Sequence, residues 1–313
     1  MYSYKIYSSK QYERNLKMTN TNFVLSCCST VDLTEPKLKE RNIEYIPMHY
    51  FIDGVEYRDD LGKTISSADF YARMVAGADT KTSQVNTAEF IEHFEGFLSQ
   101  GKDILHLSLS SGISGTYRSA CIAADELKEK YPERKIIIVD TLGASSGYGL
   151  LVDIVADMRD EGKTIEEAYE WAMENRLNIH HWFFSTDLTF FVKGGRVSKV
   201  SGWFGTALKI CPLLNVSREG KLIPREKIRT KQRVINAIVD KMLVHAKDGE
   251  NYSGKCYISH SDRIDDANIV KKLVEEKFKN VKCVEIYNIG TVIGSHSGPG
   301  TVALFFEGTK RAD

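Results

Sequence analysis

The chain has 313 residues, 42% of them hydrophobic and 10% aromatic, enough apolar material for a core and too much for wholesale disorder. Lys and Arg (42) cancel Asp and Glu (42), so no overall field recruits nucleic acid or an anionic membrane. No apolar run approaches the ~18 residues of a spanning helix, and no basic-then-apolar leader is read at the start. Six sparse cysteines without a CxxC pair argue against a zinc ribbon or a disulfide scaffold. The expectation is a soluble protein of a reducing cytoplasm.

Residues 1–20 are Tyr-rich and basic, and Met18 looks like a second start; they are read as a disordered extension. From Phe23 the pattern alternates as in parallel α/β folds. Phe23-Val24-Leu25 reads as a strand ending in the polar cluster Ser26–Thr30. A short helix over Pro36–Arg41 leads to a second strand over Ile43–Ile52, closed by a turn at Asp53-Gly54. Ser66 or Ser67 caps a helix that buries Phe70, Met74 and Val75. Lys81-Thr82-Ser83-Gln84 is read as a polar loop, and Asn86 with Glu89 opens a helix through a capping box.

Next come a strand at Ile104–Leu109, a helix at Ser114–Lys130, a buried strand at Ile136–Val139 and a helix at Ser145–Asp160. Thr164 and Glu167 cap a further helix. After residue 178 the strands become more frequent and read as antiparallel: His181–Ser185, Leu213–Val216, Lys221–Ile228, Lys255–Ser259, Val281–Ile286 and Thr301–Phe306. Helices are expected over Lys231–Ala246 and Asp265–Phe278. The division is therefore 21–177, a parallel α/β/α sheet domain, followed by 178–313, a mixed-sheet α/β domain.

Open parallel sheets bind ligands at the carboxyl ends of their strands. The segment Ser110-Ser111-Gly112-Ile113-Ser114-Gly115-Thr116 stands at such an end. It offers hydroxyls, exposed amides and a helix N-terminus suited to an anion; the plain alternative is a capped strand-to-helix turn. Lys193-Gly194-Gly195-Arg196 puts a cation after two glycines, and Gly294–Gly300 is a glycine-rich turn carrying His296. Gly298-Pro-Gly300-Thr-Val-Ala303 satisfies a dinucleotide fingerprint formally, but the β-branched run after it is no helix. The Gly-Lys-Thr triplets at 62–64 and 162–164 lack the earlier glycine of a P-loop. His180 and His181 read as core or edge histidines, and no spacing supports a metal site.

Taken together, these motifs resemble the DegV family, which includes the fatty-acid-binding subunit of bacterial fatty acid kinase. The resemblance runs from about Phe23 to Phe306 through Ser29-Thr30-Val31-Asp32, Thr82-Ser83-Gln84, residues 110–120, Asp140-Thr141, residues 193–198, Arg229-Thr230-Lys231 and the turn at 296–300. It implies a two-domain DegV-like α/β fold with a long-chain, palmitate-like fatty acid between the domains and no further cofactor. It also implies that Thr82 and Ser114 hold the carboxylate, with Arg196 and His296 beside it. Their motif neighbours Ser83 and Ser111 complete the candidate set. The family's first loop carries an aspartate before Ser-Thr, and Cys28 stands there in this chain.

The implied role is that of a lipid-binding protein rather than an enzyme. It would present the carboxylate to a separate ATP-dependent fatty acid kinase for conversion to acyl phosphate. The chemistry is reasonable on its own terms: roughly fifteen methylenes at about 0.8 kcal/mol each set a transfer limit near ~12 kcal/mol, reduced by ordering costs. The competing reading is a serine hydrolase of acyl esters, with Ser114, His296 and Asp140 as a triad. Gly112-Ile113-Ser114-Gly115-Thr116 misses the GxSxG elbow at its last position.

Overall fold

The computed structural model describes residues 23–197 and 210–312; the extension at 1–20 and Ser198 of the Lys193–Ser198 motif lie outside the described residues. Four strands form a parallel sheet in the order β2-β1-β6-β7: β1 (Phe23–Cys28), β2 (Ile43–Ile46), β6 (Asp103–Ser108) and β7 (Ile136–Asp140). Their apolar runs are covered on both faces, as parallel sheets require. Six strands form the mixed sheet β10-β9-β8-β13-β11-β12: β8 (Ile179–Ser185), β9 (Ile210–Val216), β10 (Leu222–Arg229), β11 (Lys255–His260), β12 (Cys283–Asn288) and β13 (Thr301–Glu307). Only β11 and β12 pair in parallel there.

The expected strand over Ile43–Ile52 is two strands in two different sheets. Pro47 lacks the N–H that would continue the ladder, and the chain leaves β2 to enter a small antiparallel sheet, β4-β3-β5. That sheet holds β3 (His49–Ile52), β4 (Val55–Arg58) and β5 (Thr80–Ser83). Asp53 and Gly54, both at positive φ, make the tight hairpin between β3 and β4. The segment read as a polar loop at Lys81–Gln84 is thus largely strand: Tyr50 pairs with Thr82 and His49 with Ser83. In the helix α2 (Ser67–Val75), Ser66 is the cap and Phe70 and Met74 are buried, but Val75 is exposed.

The helix α1 (Glu35–Glu40) follows β1, and α3 (Thr87–Leu98) starts on the Asn86–Glu89 capping box. The helix α4 (Thr116–Lys130) begins two residues later than expected, leaving Ser114 in the preceding loop. The helix α5 (Ser145–Asp160) is buried without a break from Ser145 to Asp153, the mark of a helix pressed between layers. Gly147 and Gly149 explain how closely. A Cβ on Gly147 would stand 2.4 Å from Phe305 of the mixed sheet, and one on Gly149 would stand 2.6 Å from the Val31 carbonyl beside the parallel sheet. The helix therefore needs small residues on both faces.

Beyond α5 lie α6 (Ile165–Asn175), α7 (Thr189–Lys193), α8 (Lys231–His245) and α9 (Ile264–Lys277). The expected glycine-rich turn at 294–300 begins as a helix, α10 (Thr291–Ser297), and turns only at Gly298 and Gly300, both at positive φ. This helix lies in the second half of the sequence yet packs on α2, β3 and β5 of the first. It brings His296 to Thr82.

Candidate functional site

A cavity of about 260 Å³ lies where the loops after the parallel strands, the small sheet and the inner face of the mixed sheet meet. Met48, Leu109 and Val292 supply apolar wall from one core cluster, and Phe183, Phe191 and Phe305 supply it from the other. Thr82, Ser114, Arg196 and His296 also line it.

Strand periodicity sorts the Thr82-Ser83-Gln84 motif. Side chains alternate across a strand, so Thr82 faces the cavity and Ser83 is exposed outside it. Gln84, on the Thr82 side, lines the cavity and donates to Ser119 Oγ at 2.9 Å. Thr82 Oγ1 is 2.7 Å from His296 Nε2. Burial, reinforced by the Arg196 charge, holds the His296 imidazole down at about 4, so it is neutral near pH 7. In the tautomer whose Nε2 carries the proton, Nε2 donates to Thr82 Oγ1 and the threonine hydroxyl proton is free for another acceptor. His296 Nδ1 is buried without a partner. A Cβ on Gly194 would stand 2.3 Å from Nδ1, so glycine there lets the α7 C-terminus close over the ring.

Ser114 Oγ accepts from the Thr116 amide at 3.2 Å and pairs with Thr116 Oγ1 at 2.9 Å. It sits at the N-terminus of α4, where unpaired amides favour negative charge. Ser110 Oγ donates to the Gly220 carbonyl at 2.9 Å, tying the loop to the β9–β10 turn. Ser111 is exposed and outside the cavity; its amide donates to Asp140 Oδ1 at 3.1 Å. Arg196 donates to the carbonyls of Gly194 (2.5 Å) and Ile113 (3.3 Å). It forms no ion pair among the described residues, and burial lowers its pKa. An anion in the cavity would find a cation with donors to spare.

Four of the six candidates thus converge on the cavity, while Ser83 and Ser111 do not. The triad Ser114–His296–Asp140 is not assembled: His296 pairs with Thr82, Ser114 with Thr116, and Asp140 Oδ1 accepts from the amides of Ser111 and Leu142. His181, read as a core histidine, is buried, with Nδ1 bonded to the Ile179 carbonyl at 3.0 Å. It also lines the cavity, which its place in an apolar strand did not signal. Cys28 is buried, its thiol pushed up to about 12 by desolvation, 3.8 Å from His106 Nε2. No group of three or more His, Cys, Asp or Glu side chains suited to a metal occurs among the described residues.

Comparison with known proteins decides the family. The profile described as "Uncharacterised protein, DegV family" matches residues 28–309. The chain belongs to the DegV family. A DegV domain-containing protein of Clostridium perfringens is 38% identical over 292 residues, covering 92% of this chain and 98% of that one. Among solved structures, a DegV lipid binding protein from Thermotoga maritima superposes with a TM-score of 0.80 at 28% identity, covering 93% of this chain and 99% of its own. A fatty-acid-binding DegV family protein from Thermus thermophilus gives a TM-score of 0.82 at 25% identity, covering 92% and 99%. The mixed α/β DegV architecture, a parallel sheet followed by a mixed sheet, is therefore that of this chain.

Proposed function

We propose that this DegV protein binds one long-chain, palmitate-like fatty acid in the cavity and presents its carboxylate to a separate ATP-dependent kinase. The observation that carries the binding half is the meeting of an apolar cavity with Thr82, Ser114, Arg196 and a neutral His296. Two hydroxyls, a helix N-terminus and one cation suffice for a carboxylate, and the aliphatic tail needs only burial. The fatty acid binding of the Thermus thermophilus relative supports the same reading.

In this reading Thr82 and Ser114 donate to the carboxylate oxygens. The neutral His296 orients Thr82 without adding charge of its own, and Arg196 balances the headgroup. The kinase half follows from the family resemblance and from this electrostatic arrangement. A carboxylate oxygen attacking phosphorus must stay ionised while its partner brings further negative charge, and a nearby guanidinium eases that approach.

Native mass spectrometry of the purified protein, followed by organic extraction, tests binding. One acyl chain per protein is expected, and protein that neither carries nor takes up fatty acid would overturn the proposal. With a fatty acid kinase present, Arg196→Ala and His296→Ala should slow acyl-phosphate formation more than they weaken fatty-acid binding. Equal losses would confine both residues to the bound state.

A further inference from the structure

A second cavity, of about 230 Å³, adjoins the N-terminal end of α10 and has a different character. Asp32, Asp59, Asn288 and Thr291 line it. Asp32 is 5% exposed, Asp59 2% and Thr291 4%. Asp32 Oδ1 accepts from the Gly290 amide at 3.0 Å and Oδ2 from Ser145 Oγ at 2.5 Å. Asp59 Oδ2 and Thr291 Oγ1 are buried there and form no well-directed hydrogen bond, although the Ser29 and Thr291 hydroxyls lie near enough to Asp59 to favour its ionised form. The two carboxylates converge: a methyl on Gly290 would stand 2.7 Å from Asp32 Oδ1 and 3.5 Å from Asp59 Oδ2. Neither aspartate forms an ion pair with Lys, Arg or His among the described residues.

Two buried carboxylates without a cation are a costly arrangement. A shared proton would relieve it in part, but would leave Asp59 Oδ2 and Thr291 Oγ1 without a well-directed partner. We propose that this cavity binds a hard divalent cation of the Mg²⁺ class, held by Asp32, Asp59 and the Thr291 hydroxyl. The lining offers oxygen donors and no sulfur or imidazole, which selects against zinc and copper. Two carboxylates with room for water suit Mg²⁺, which keeps part of its hydration shell, better than Ca²⁺, which takes six to eight oxygens.

The three donors come from three separated segments: the loop after β1, the loop after β4 and the first residue of α10. A cation would fasten the start of the helix whose other end carries His296, without touching the acyl cavity.

Mn²⁺ is a paramagnetic stand-in for Mg²⁺, and its free form can be counted by electron paramagnetic resonance. The full chain, first stripped with a chelator, should bind one Mn²⁺ that excess Mg²⁺ displaces. Asp59→Asn should weaken that binding at least tenfold. Thr291→Val, nearly isosteric and lacking only the hydroxyl, should weaken it several-fold. If Asp59→Asn fails to fold, Thr291→Val decides alone. Absence of saturable Mn²⁺ binding up to millimolar concentrations, or affinity unchanged by the substitutions, would overturn the site and leave a proton-sharing acid pair.

Discussion

The two ends of α10 border cavities of opposite chemistry. At its C-terminal end, His296 shares a cavity with apolar walls, two hydroxyls and a guanidinium that forms no ion pair among the described residues, a set that welcomes one negative charge. At its N-terminal end, Thr291 faces two buried carboxylates, a set that welcomes positive charge. Fewer than two helical turns, about 7.5 Å of rise, separate them. Ser145 lies between: it lines the larger apolar cavity and donates to Asp32. The comparison teaches that burial does not fix a cavity's ligand. Both sites are buried, and the sign of the groups left unpaired decides what each can hold.

Acidification should act on the two ends in opposite directions, with the largest effect expected here. Burial holds His296, like His93 and His180, at about 4, below the unfolded value of about 6.5. Such a group stabilises the fold above pH 6.5, and that stability is lost as the pH falls toward 4. Each imidazole can withdraw up to about 3 kcal/mol when fully protonated. Asp59 runs the other way. Desolvation raises it to about 6, with the nearby Ser29 and Thr291 hydroxyls drawing it back, so the fold gains stability as the pH falls through 6. In metal-free buffer, denaturant unfolding between pH 7 and 4.5 should therefore show a net decline that His296→Gln flattens and Asp59→Asn steepens. Parallel profiles for all three proteins would break the comparison.

At the acyl end alone, Thr82→Ala and Ser114→Ala should each weaken fatty-acid binding by roughly 1–3 kcal/mol with the fold intact, as read by titration calorimetry and circular dichroism. Gly194→Ala should act more mildly although it touches no ligand atom. The new methyl must push on His296 Nδ1, and a loss of about 1 kcal/mol, several-fold in affinity, is expected. Smallest of all, Ser83→Ala and Ser111→Ala should leave affinity unchanged, because neither residue lines the cavity. A loss at Ser83 comparable to that at Thr82 would mean that the strand faces are assigned the wrong way round.

The sequence carried much of this architecture in its apolar runs and caps. β1, β6 and β7 are short and apolar because both faces are covered, and α3 and α6 begin on capping boxes that need only local chemistry. The small sheet was hidden for a physical reason. In Thr80-Lys81-Thr82-Ser83 the alternation between buried and exposed is written in polar residues, so no hydrophobic period marks it. The helix α10 was hidden by composition: Thr-Val-Ile-Gly-Ser-His-Ser has low helix propensity, and packing on α2 and β5 overrides it. The same gap explains Ser83 and Ser111. Motif neighbourhood gathered them with Thr82 and Ser114, whereas strand alternation and loop geometry separate them. The acidic cavity could not be read from spacing, since Asp32, Asp59 and Thr291 meet only in three dimensions.

The central claim is that a hydroxyl and imidazole headgroup site recognises a carboxylate, with the tail merely buried. Binding of palmitate and of hexadecanol, the same chain without the acid, tests it directly in the native protein and in the Thr82→Ala, Ser114→Ala double variant. The account expects the native protein to favour the acid by about tenfold or more, and the double variant, which keeps Arg196, to lose most of that preference. Equal affinities in the native protein, or an acid preference undiminished in the double variant, would contradict it.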